Sequence, residues 1–179
     1  MRKVLVLGGT GVMGSYLIPR LLKLGFMVDT VSLDNKQSQN PKLRYFIGNA
    51  KDLNYLKELV KNDYDAIVDF MIYSTPEFFE RCKFFLENTQ HYIYLSSYRV
   101  YADSRLPITE DSPRLLDVSM DKEYLTSDDY SLRKARGENA LIASGKKNWT
   151  VVRPTITYSS QRLQLVTLEG NTIDRKSVV

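Results

Sequence analysis

The chain has 179 residues, a length typical of one domain, and 43% of them are hydrophobic and 26% charged. Its single cysteine, Cys82, excludes an internal disulfide and suits a reducing cytoplasm, where we expect the protein to be located. No apolar run approaches the roughly 18 residues that a membrane-spanning helix needs. The net charge of +4 comes from intermixed basic and acidic residues, so we expect no membrane and no nucleic-acid partner.

The first half of the chain alternates short apolar runs with segments of helical periodicity. Strands are predicted at residues 3–7, 28–33, 43–47 and 66–72, and helices at residues 12–24 and 53–60. The buried face of the first helix is predicted to contain Val12, Tyr16, Leu17, Leu21 and Leu24. Pro19 argues against a straight helix there, and Asp52 is placed to cap the second helix.

The second half continues this alternation but contains one long irregular segment. Helices are predicted at residues 76–88 and 130–144, and strands at residues 92–95 and 150–152. Periodicity is weak between residues 98 and 129, and a loop of this length is often functional. Strands separated by helices favour parallel pairing with right-handed crossovers. The predicted fold class is therefore α/β, with a doubly wound parallel sheet inside a three-layer α/β/α sandwich.

A glycine-rich turn at residues 8–14 joins the first strand to the first helix. Gly8, Gly11 and Gly14 are three residues apart, and without side chains the backbone can turn tightly and approach a pyrophosphate. Unpaired N–H groups and the positive end of the helix dipole favour phosphate at that position. The turn therefore predicts a Rossmann domain that binds a nicotinamide dinucleotide. A tight turn with a purely structural role is the alternative.

Asp34 ends the predicted second strand, 20 residues after Gly14. A carboxylate at that place can accept hydrogen bonds from the adenosine ribose hydroxyls and would repel a 2′-phosphate. The sequence therefore favours NAD over NADP. NADP stays an alternative because Lys36 and Lys42 are close in sequence, and a solvated turn aspartate is a further interpretation.

Tyr130 and Lys134 are four residues apart and share one face of a predicted helix. Free tyrosine, with a pKa of about 10, is a poor base at neutral pH, but a nearby ammonium stabilises the phenolate. Tyr130 is thus a candidate base for a substrate hydroxyl, and Lys134 is a candidate contact for the nicotinamide ribose. The spacing alone is weak in a chain that has 12 tyrosines.

Ser96 and Ser97 directly follow the predicted fifth strand. Ligands of open parallel sheets bind beyond the carboxyl ends of the strands, so a serine hydroxyl there can hold the reacting oxygen. Two loop serines that only cap the strand end are an equal alternative.

In this order, the glycine turn, the serine pair and the Tyr130–Lys134 spacing resemble the extended short-chain dehydrogenase/reductase family, the NAD-dependent nucleotide-sugar epimerases and dehydratases. Residues 92–101 are similar to that family's strand with SS-x-x-VYG, residues 108–111 to its ITE stretch, and residues 151–158 to its LRP-x-x-x-YG segment. Two departures are Ala102 and Ser159, which stand where the family has glycines.

The resemblance implies a role for each matching residue. Gly8, Gly11 and Gly14, with Thr10, Val12 and Met13, would bind the pyrophosphate, and Asp34 the adenosine ribose; Asp52 and Leu53 would contact adenine, and Pro154 the nicotinamide side. Ser97, Tyr130 and Lys134 would be the catalytic residues. No acid–cysteine cluster surrounds the single histidine, His91, so we expect no metal.

The resemblance also implies an incomplete protein, because members of that family are considerably longer. Residues 1–158 would form the cofactor domain, and residues 159–179 only the start of the substrate lobe. The implied activity is that of an NAD-dependent epimerase or dehydratase acting on a nucleotide sugar, and members of the family often form homodimers. A catalytically silent NAD(P)-binding regulator or an RNA-associated protein of the same fold is the alternative.

Overall fold

The computed structural model describes residues 2–155 and 157 and has the predicted alternation of strands and helices. The strands are β1 (Lys3–Leu7), β2 (Met27–Ser32), β3 (Leu43–Ile47), β4 (Tyr64–Asp69), β5 (Thr89–Leu95) and β6 (Trp149–Val152). The helices are α1 (Val12–Lys23), α2 (Leu53–Leu59), α3 (Thr75–Glu87), α4 (Leu115–Val118), α5 (Lys122–Thr126) and α6 (Tyr130–Ala143). The predicted start of a substrate lobe, residues 159–179, lies outside the described residues.

All six strands are parallel and follow the order β3-β2-β1-β4-β5-β6. This is the strand order of a Rossmann fold, in which the reversal beside β1 opens a crevice at the carboxyl ends of the strands. Leu7, the last residue of β1, is in register with Val31 of β2 and Asp69 of β4, so these strands end close together. The predicted doubly wound parallel sheet is confirmed.

Helices pack on both faces of the sheet and complete the predicted three layers. On one face, Ile18 of α1 packs with Val6 and Val68. The opposite face holds the larger core, to which α2, α3 and α6 contribute Leu56, Phe78, Cys82, Phe85 and Leu141. The single cysteine, Cys82, is free and buried in this core. None of the helices in the described part of the chain has the length and apolar character required to span a membrane.

The buried face of α1 agrees only in part with the predicted one: Leu17 and Leu21 pack on the core as predicted. Tyr16 and Leu24 are 63% and 69% exposed, whereas Ile18 is only 4% exposed. The reason is a close backbone approach: a Cβ atom on Gly14 would overlap the backbone of Gly9. This contact fixes the rotation of the helix and turns the line from Gly14 to Ile18 toward the sheet, since residues four apart share a face.

Element boundaries also shift where the site is formed. β4 ends at Asp69, so residues 70–72, which we predict as strand, instead form a loop beyond the sheet. α1 runs without interruption through Pro19. The irregular segment after β5 contains the short helices α4 and α5, together with a bridge between Tyr101 and Arg114.

The contact between α6 and the sheet depends on Gly137. A Cβ atom at this position would lie 2.8 Å from Cζ of Tyr94, closer than real side chains come. The ring of Tyr94 cannot move aside freely, because the ring of Phe78 lies 4.6 Å away between centroids.

We therefore expect the substitution Gly137→Ala to lower the free energy of unfolding by about 1–3 kcal/mol through overpacking. The better helix propensity of alanine, worth about 1 kcal/mol, acts in the opposite direction and is the smaller effect. Urea unfolding measures the difference. Ile142→Ala, at a 63% exposed position of the same helix, is the control and should change stability by less than about 0.5 kcal/mol. An unchanged unfolding midpoint for Gly137→Ala would contradict this packing.

Candidate functional site

Gly8, Gly11 and Gly14, in the turn between β1 and α1, have different structural roles. Gly8 has a φ of +73°, in the left-handed region that favours glycine, and its N–H donates to the Val31 carbonyl at 2.9 Å. Gly14 makes the close backbone approach to Gly9 described above. A Cβ atom on Gly11 would meet nothing nearer than the Gly8 carbonyl oxygen at 3.4 Å. Gly11 is thus the glycine of the three whose missing side chain leaves open space for a ligand.

The N-terminus of α1 has the features of a phosphate site. Gly11 is its N-cap residue and has no side chain with which to accept from the first amides of the helix. In contrast, Asp52, Ser74 and Asp129 cap α2, α3 and α6 through their side chains. Amides at a helix N-terminus, together with the helix dipole, attract an anion. The residues present therefore fit the pyrophosphate of a dinucleotide.

Asp34 and Asp52 lie at the carboxyl ends of β2 and β3 but differ in how their carboxylates are used. Asp34 is exposed, its own N–H donates to Ser32 Oγ at 3.0 Å, and its carboxylate bonds to none of the described residues. Asp52 Oδ1 accepts from the N–H groups of Asn54 at 2.9 Å and Tyr55 at 3.2 Å, which confirms the predicted cap. The predicted contacts of Asp34, Asp52 and Leu53 with adenosine stay predictions.

A cleft of about 410 Å³ lies beside the glycine turn, at the carboxyl ends of the strands. It is lined by Met13, Phe70, Ile72, Leu95, Ser96, Ser97, Tyr98, Arg99, Tyr130, Lys134, Pro154, Thr155 and Thr157. The structure thus brings together predicted residues from α1, from the loop after β5, from α6 and from the segment after β6. The predicted adenosine residues near β2 and α2 lie outside this cleft.

Tyr130 and Lys134 lie on one face of α6, as their spacing predicts. Tyr130 is the first helical residue, and Lys134 Nζ lies 5.9 Å from the centroid of its ring. The ammonium of Lys134 donates to the Leu95 carbonyl at 2.7 Å. Burial lowers the pKa of Lys134 to about 8, although the charge of Asp69 acts in the opposite direction. At neutral pH the side chain is therefore still largely protonated.

The two serines after β5 have different environments. Ser96 Oγ donates to Glu138 Oε1 at 2.5 Å, so its hydroxyl belongs to a buried polar cluster. Ser97 Oγ accepts from the Arg99 N–H at 3.2 Å, which leaves its proton available to another oxygen. Of the pair, Ser97 is thus the one free to donate to a ligand in the cleft.

Sequence analysis missed the buried cluster around Glu138. This carboxylate is 1% exposed and accepts from Arg153 Nε and Nη2, each at 2.8 Å, and from Arg114 Nη1 at 3.0 Å. Burial would raise the pKa of Glu138, but hydrogen bonds from Arg153, Ser96 and Arg114 lower it below its usual range. A signal existed: Glu138 follows Lys134 by four residues and so extends the same helical face.

Asp69, at the end of β4, is a second residue that sequence analysis missed. Its Oδ2 accepts from the Tyr92 hydroxyl at 2.7 Å, and its Oδ1 accepts from the Met71 N–H at 2.9 Å. Complete burial raises the pKa of this carboxyl group. Asp69 holds the start of the loop at residues 70–72, which supplies one wall of the cleft. Its position inside the predicted strand at residues 66–72 gave no signal of this role.

Solved structures with this fold include proteins that bind NAD. The X-ray structure of Pal from Bacillus thuringiensis matches with a TM-score of 0.68 and 22% identity, covering 94% of this chain and 60% of that one. The Bordetella bronchiseptica enzyme WbmH in complex with NAD+ matches with a TM-score of 0.64 and 19% identity, covering 86% of this chain and 55% of that one. At such identities the matches show the fold.

Sequence relatives and a family model give a closer assignment. A UDP-glucose 4-epimerase from Lactobacillus helveticus is 26% identical over 133 residues, which are 62% of this chain and 40% of that protein. One from Lacticaseibacillus casei is 33% identical over 94 residues, or 48% of this chain and 28% of that protein. The chain thus aligns with less than half the length of these relatives. The model of the NAD dependent epimerase/dehydratase family matches residues 4–167. This chain belongs to the NAD-dependent epimerase/dehydratase family.

Proposed function

We propose that this chain is the cofactor-binding part of an enzyme that uses NAD to epimerise or dehydrate a nucleotide sugar. The observation that carries the proposal is that one cleft is lined both by Met13, at the glycine turn, and by Ser97, Tyr130 and Lys134. The relatives named UDP-glucose 4-epimerase support the substrate class. Because the chain aligns with 40% of the first relative, the activity of the whole protein is part of this proposal.

The cofactor would lie along the carboxyl edge of the sheet, from β2 to β6. Its pyrophosphate would contact the turn at residues 8–14, including Thr10 and Val12, where the open space at Gly11 permits a close approach. Asp34 would accept from the adenosine ribose, with Asp52 and Leu53 near the adenine. Pro154 would lie on the nicotinamide side, at the same end as the cleft residues.

The residues of the cleft have complementary tasks in this chemistry. When bound, NAD supplies the group that exchanges hydride with the sugar carbon. Tyr130 removes the proton from the sugar hydroxyl, and Ser97 donates a hydrogen bond that holds the reacting oxygen. Lys134 uses one of its three N–H donors to bond to the Leu95 carbonyl, which leaves two for the nicotinamide ribose. This complete set of side chains favours catalysis over a silent NAD-binding role.

The location of the protein is part of the same proposal. The single free cysteine supports a reducing compartment such as the cytoplasm. A homodimer, the absence of a nucleic-acid partner and the absence of a membrane partner stay predictions of the sequence.

The substitution Gly11→Ala tests the phosphate site. The backbone at this position, with φ −71° and ψ 176°, accepts alanine without strain, so only the lower N-cap preference of alanine acts and the thermal midpoint should fall by no more than about 4 °C. The added methyl group occupies the space next to the pyrophosphate, and we expect calorimetry to show NAD binding weakened at least about tenfold. Lys23→Ala, at the far end of α1, is the control. Unchanged NAD affinity in folded Gly11→Ala would reject this site, and no NAD binding by the unmodified chain would reject the proposed function.

Asp34→Ala tests the preference for NAD. Removing the carboxylate removes both the ribose contact and the repulsion of a 2′-phosphate, so the ratio of the NAD and NADP dissociation constants should move toward NADP by about tenfold. Titration with each dinucleotide measures this ratio. Asp103→Ala, an exposed acid outside the cleft, should leave the ratio as it is. If the ratio does not move in Asp34→Ala, the assignment of Asp34 is wrong.

Tyr130→Phe separates catalysis from binding. The variant keeps the ring but loses the oxygen that would accept the proton, and in the full-length protein we expect interconversion of UDP-glucose and UDP-galactose, followed by NMR, to slow by about 10²- to 10⁴-fold. NAD affinity should stay within a factor of about three, because the hydroxyl is assigned to the sugar. Tyr45→Phe, on the edge strand β3, is the matched control. Turnover by Tyr130→Phe within a few-fold of the unmodified protein would remove the proposed base.

A further inference from the structure

Arg99 places a second cation in the cleft. It follows Ser97 by two residues and is exposed, and its guanidinium carbon lies 5.7 Å from the centroid of the Tyr130 ring. Together with Lys134 it makes the cleft positive, because the described residues that line the cleft include no aspartate or glutamate. An open positive cleft attracts anionic ligands.

The guanidinium of Arg99 is available to such a ligand. Its backbone N–H is bonded to Ser97 Oγ, but its side chain forms no hydrogen bond or ion pair with the described residues. The charge of Arg99 also acts on Asp129. The pKa of Asp129 is lowered, first by hydrogen bonds from Ser131 and to a smaller extent by the charge of Arg99. Asp129 Oδ1 is nevertheless occupied at the start of α6, where it accepts from Ser131 N at 2.9 Å and Ser131 Oγ at 2.5 Å.

The cofactor's phosphates do not account for this cation. Arg99 follows β5, whereas the glycine turn follows β1, and β4 lies between those two strands. Two strand spacings put the ends of β1 and β5 about 10 Å apart, and of the turn at residues 8–14 Met13 alone is among the described residues that line the cleft with Arg99. The guanidinium lies instead beside Tyr130, on the side where the sugar would react.

We propose that Arg99 binds a carboxylate on the sugar ring that reacts at Tyr130, so that the substrate class is a nucleotide-linked uronic acid. This inference rests on the proposed function and narrows its substrate. The planar fork of a guanidinium matches a carboxylate in a bidentate pair. The diphosphate of the nucleotide joins the sugar at its anomeric carbon, away from a hydroxyl at the opposite side of the ring, so the anion nearest Tyr130 belongs to the ring itself.

The test compares three probes on the 179-residue chain saturated with NAD: UDP-glucuronate, UDP-glucose, which lacks the carboxylate, and UDP. Shifts of backbone amide signals in NMR titrations give dissociation constants up to the millimolar range. We expect the unmodified chain to bind UDP-glucuronate about 10- to 100-fold more tightly than UDP-glucose. Arg99→Gln should abolish this preference, and Arg99→Lys should keep part of it as a point charge. Arg105→Gln, exposed on the same loop but outside the cleft, should keep all of it.

Several outcomes would overturn the inference. One is equal binding of UDP-glucuronate and UDP-glucose by the unmodified chain, or no binding of either. Another is a preference that survives in Arg99→Gln. A third is an equal loss of all three probes in Arg99→Gln, which would assign the diphosphate to Arg99. NAD calorimetry on the same samples separates these results from a failure of the proposed function, because intact NAD binding without a carboxylate preference rejects only the role of Arg99.

Discussion

The buried carboxylate of Glu138 holds together four parts of the chain that are separate in sequence. It lies on α6 and accepts from Ser96 after β5, from Arg153 after β6 and from Arg114 in the long loop. A buried carboxylate left without any cationic partner costs about 3–5 kcal/mol, and here two arginines share that role. One and two helical turns earlier, the same face of α6 carries Lys134 and Tyr130. The positions of these two side chains relative to the end of β5 therefore depend on the Glu138 cluster.

Burial disfavours the charged form of Lys134, whereas hydrogen bonds preserve the charged form of Glu138. Lys134 is 4% exposed, and the lost solvation lowers its pKa to about 8, whereas the hydrogen bonds to Glu138 keep that carboxylate charged. The Leu95 carbonyl and the charge of Asp69 offset part of the cost of burying an ammonium. Because it is buried, this ammonium is poorly solvated, and a ligand hydroxyl that bound to it would regain interactions that water would have supplied. The protein thus keeps a donor in place before any ligand arrives.

Much of this could be predicted from the sequence, for physical reasons that also explain the failures. Strand and helix periodicities are local, so the parallel sheet followed from them, and the order of glycine turn, Ser97, Tyr130 and Lys134 specified which loops meet. The predicted buried face of α1 was wrong at Tyr16 and Leu24 and omitted Ile18, because the contact of Gly14 with Gly9 outweighs the apolar pattern of that helix. Asp69 was missed because its partner Tyr92 lies on a strand distant in sequence, which no local pattern reports. Glu138 had a local signal in its four-residue spacing from Lys134, but its partners Ser96, Arg114 and Arg153 are likewise distant in sequence.

The long loop after β5 contains one arginine that is bonded to α6 and one whose side chain is exposed. Arg114 attaches this loop to α6 through Glu138 and Asn139, at 3.0 Å and 2.8 Å, while Arg99 extends free into the cleft. The two arginines differ in burial. Arg114 has its N–H donors bonded inside the protein, whereas those of Arg99 are exposed. A substitution at Arg99 therefore leaves the hydrogen bonds between Arg114 and α6 in place. The side chains proposed to be catalytic thus lie on a helix that the Glu138 cluster holds, and the arginine proposed to bind the substrate lies on the loop attached to that helix.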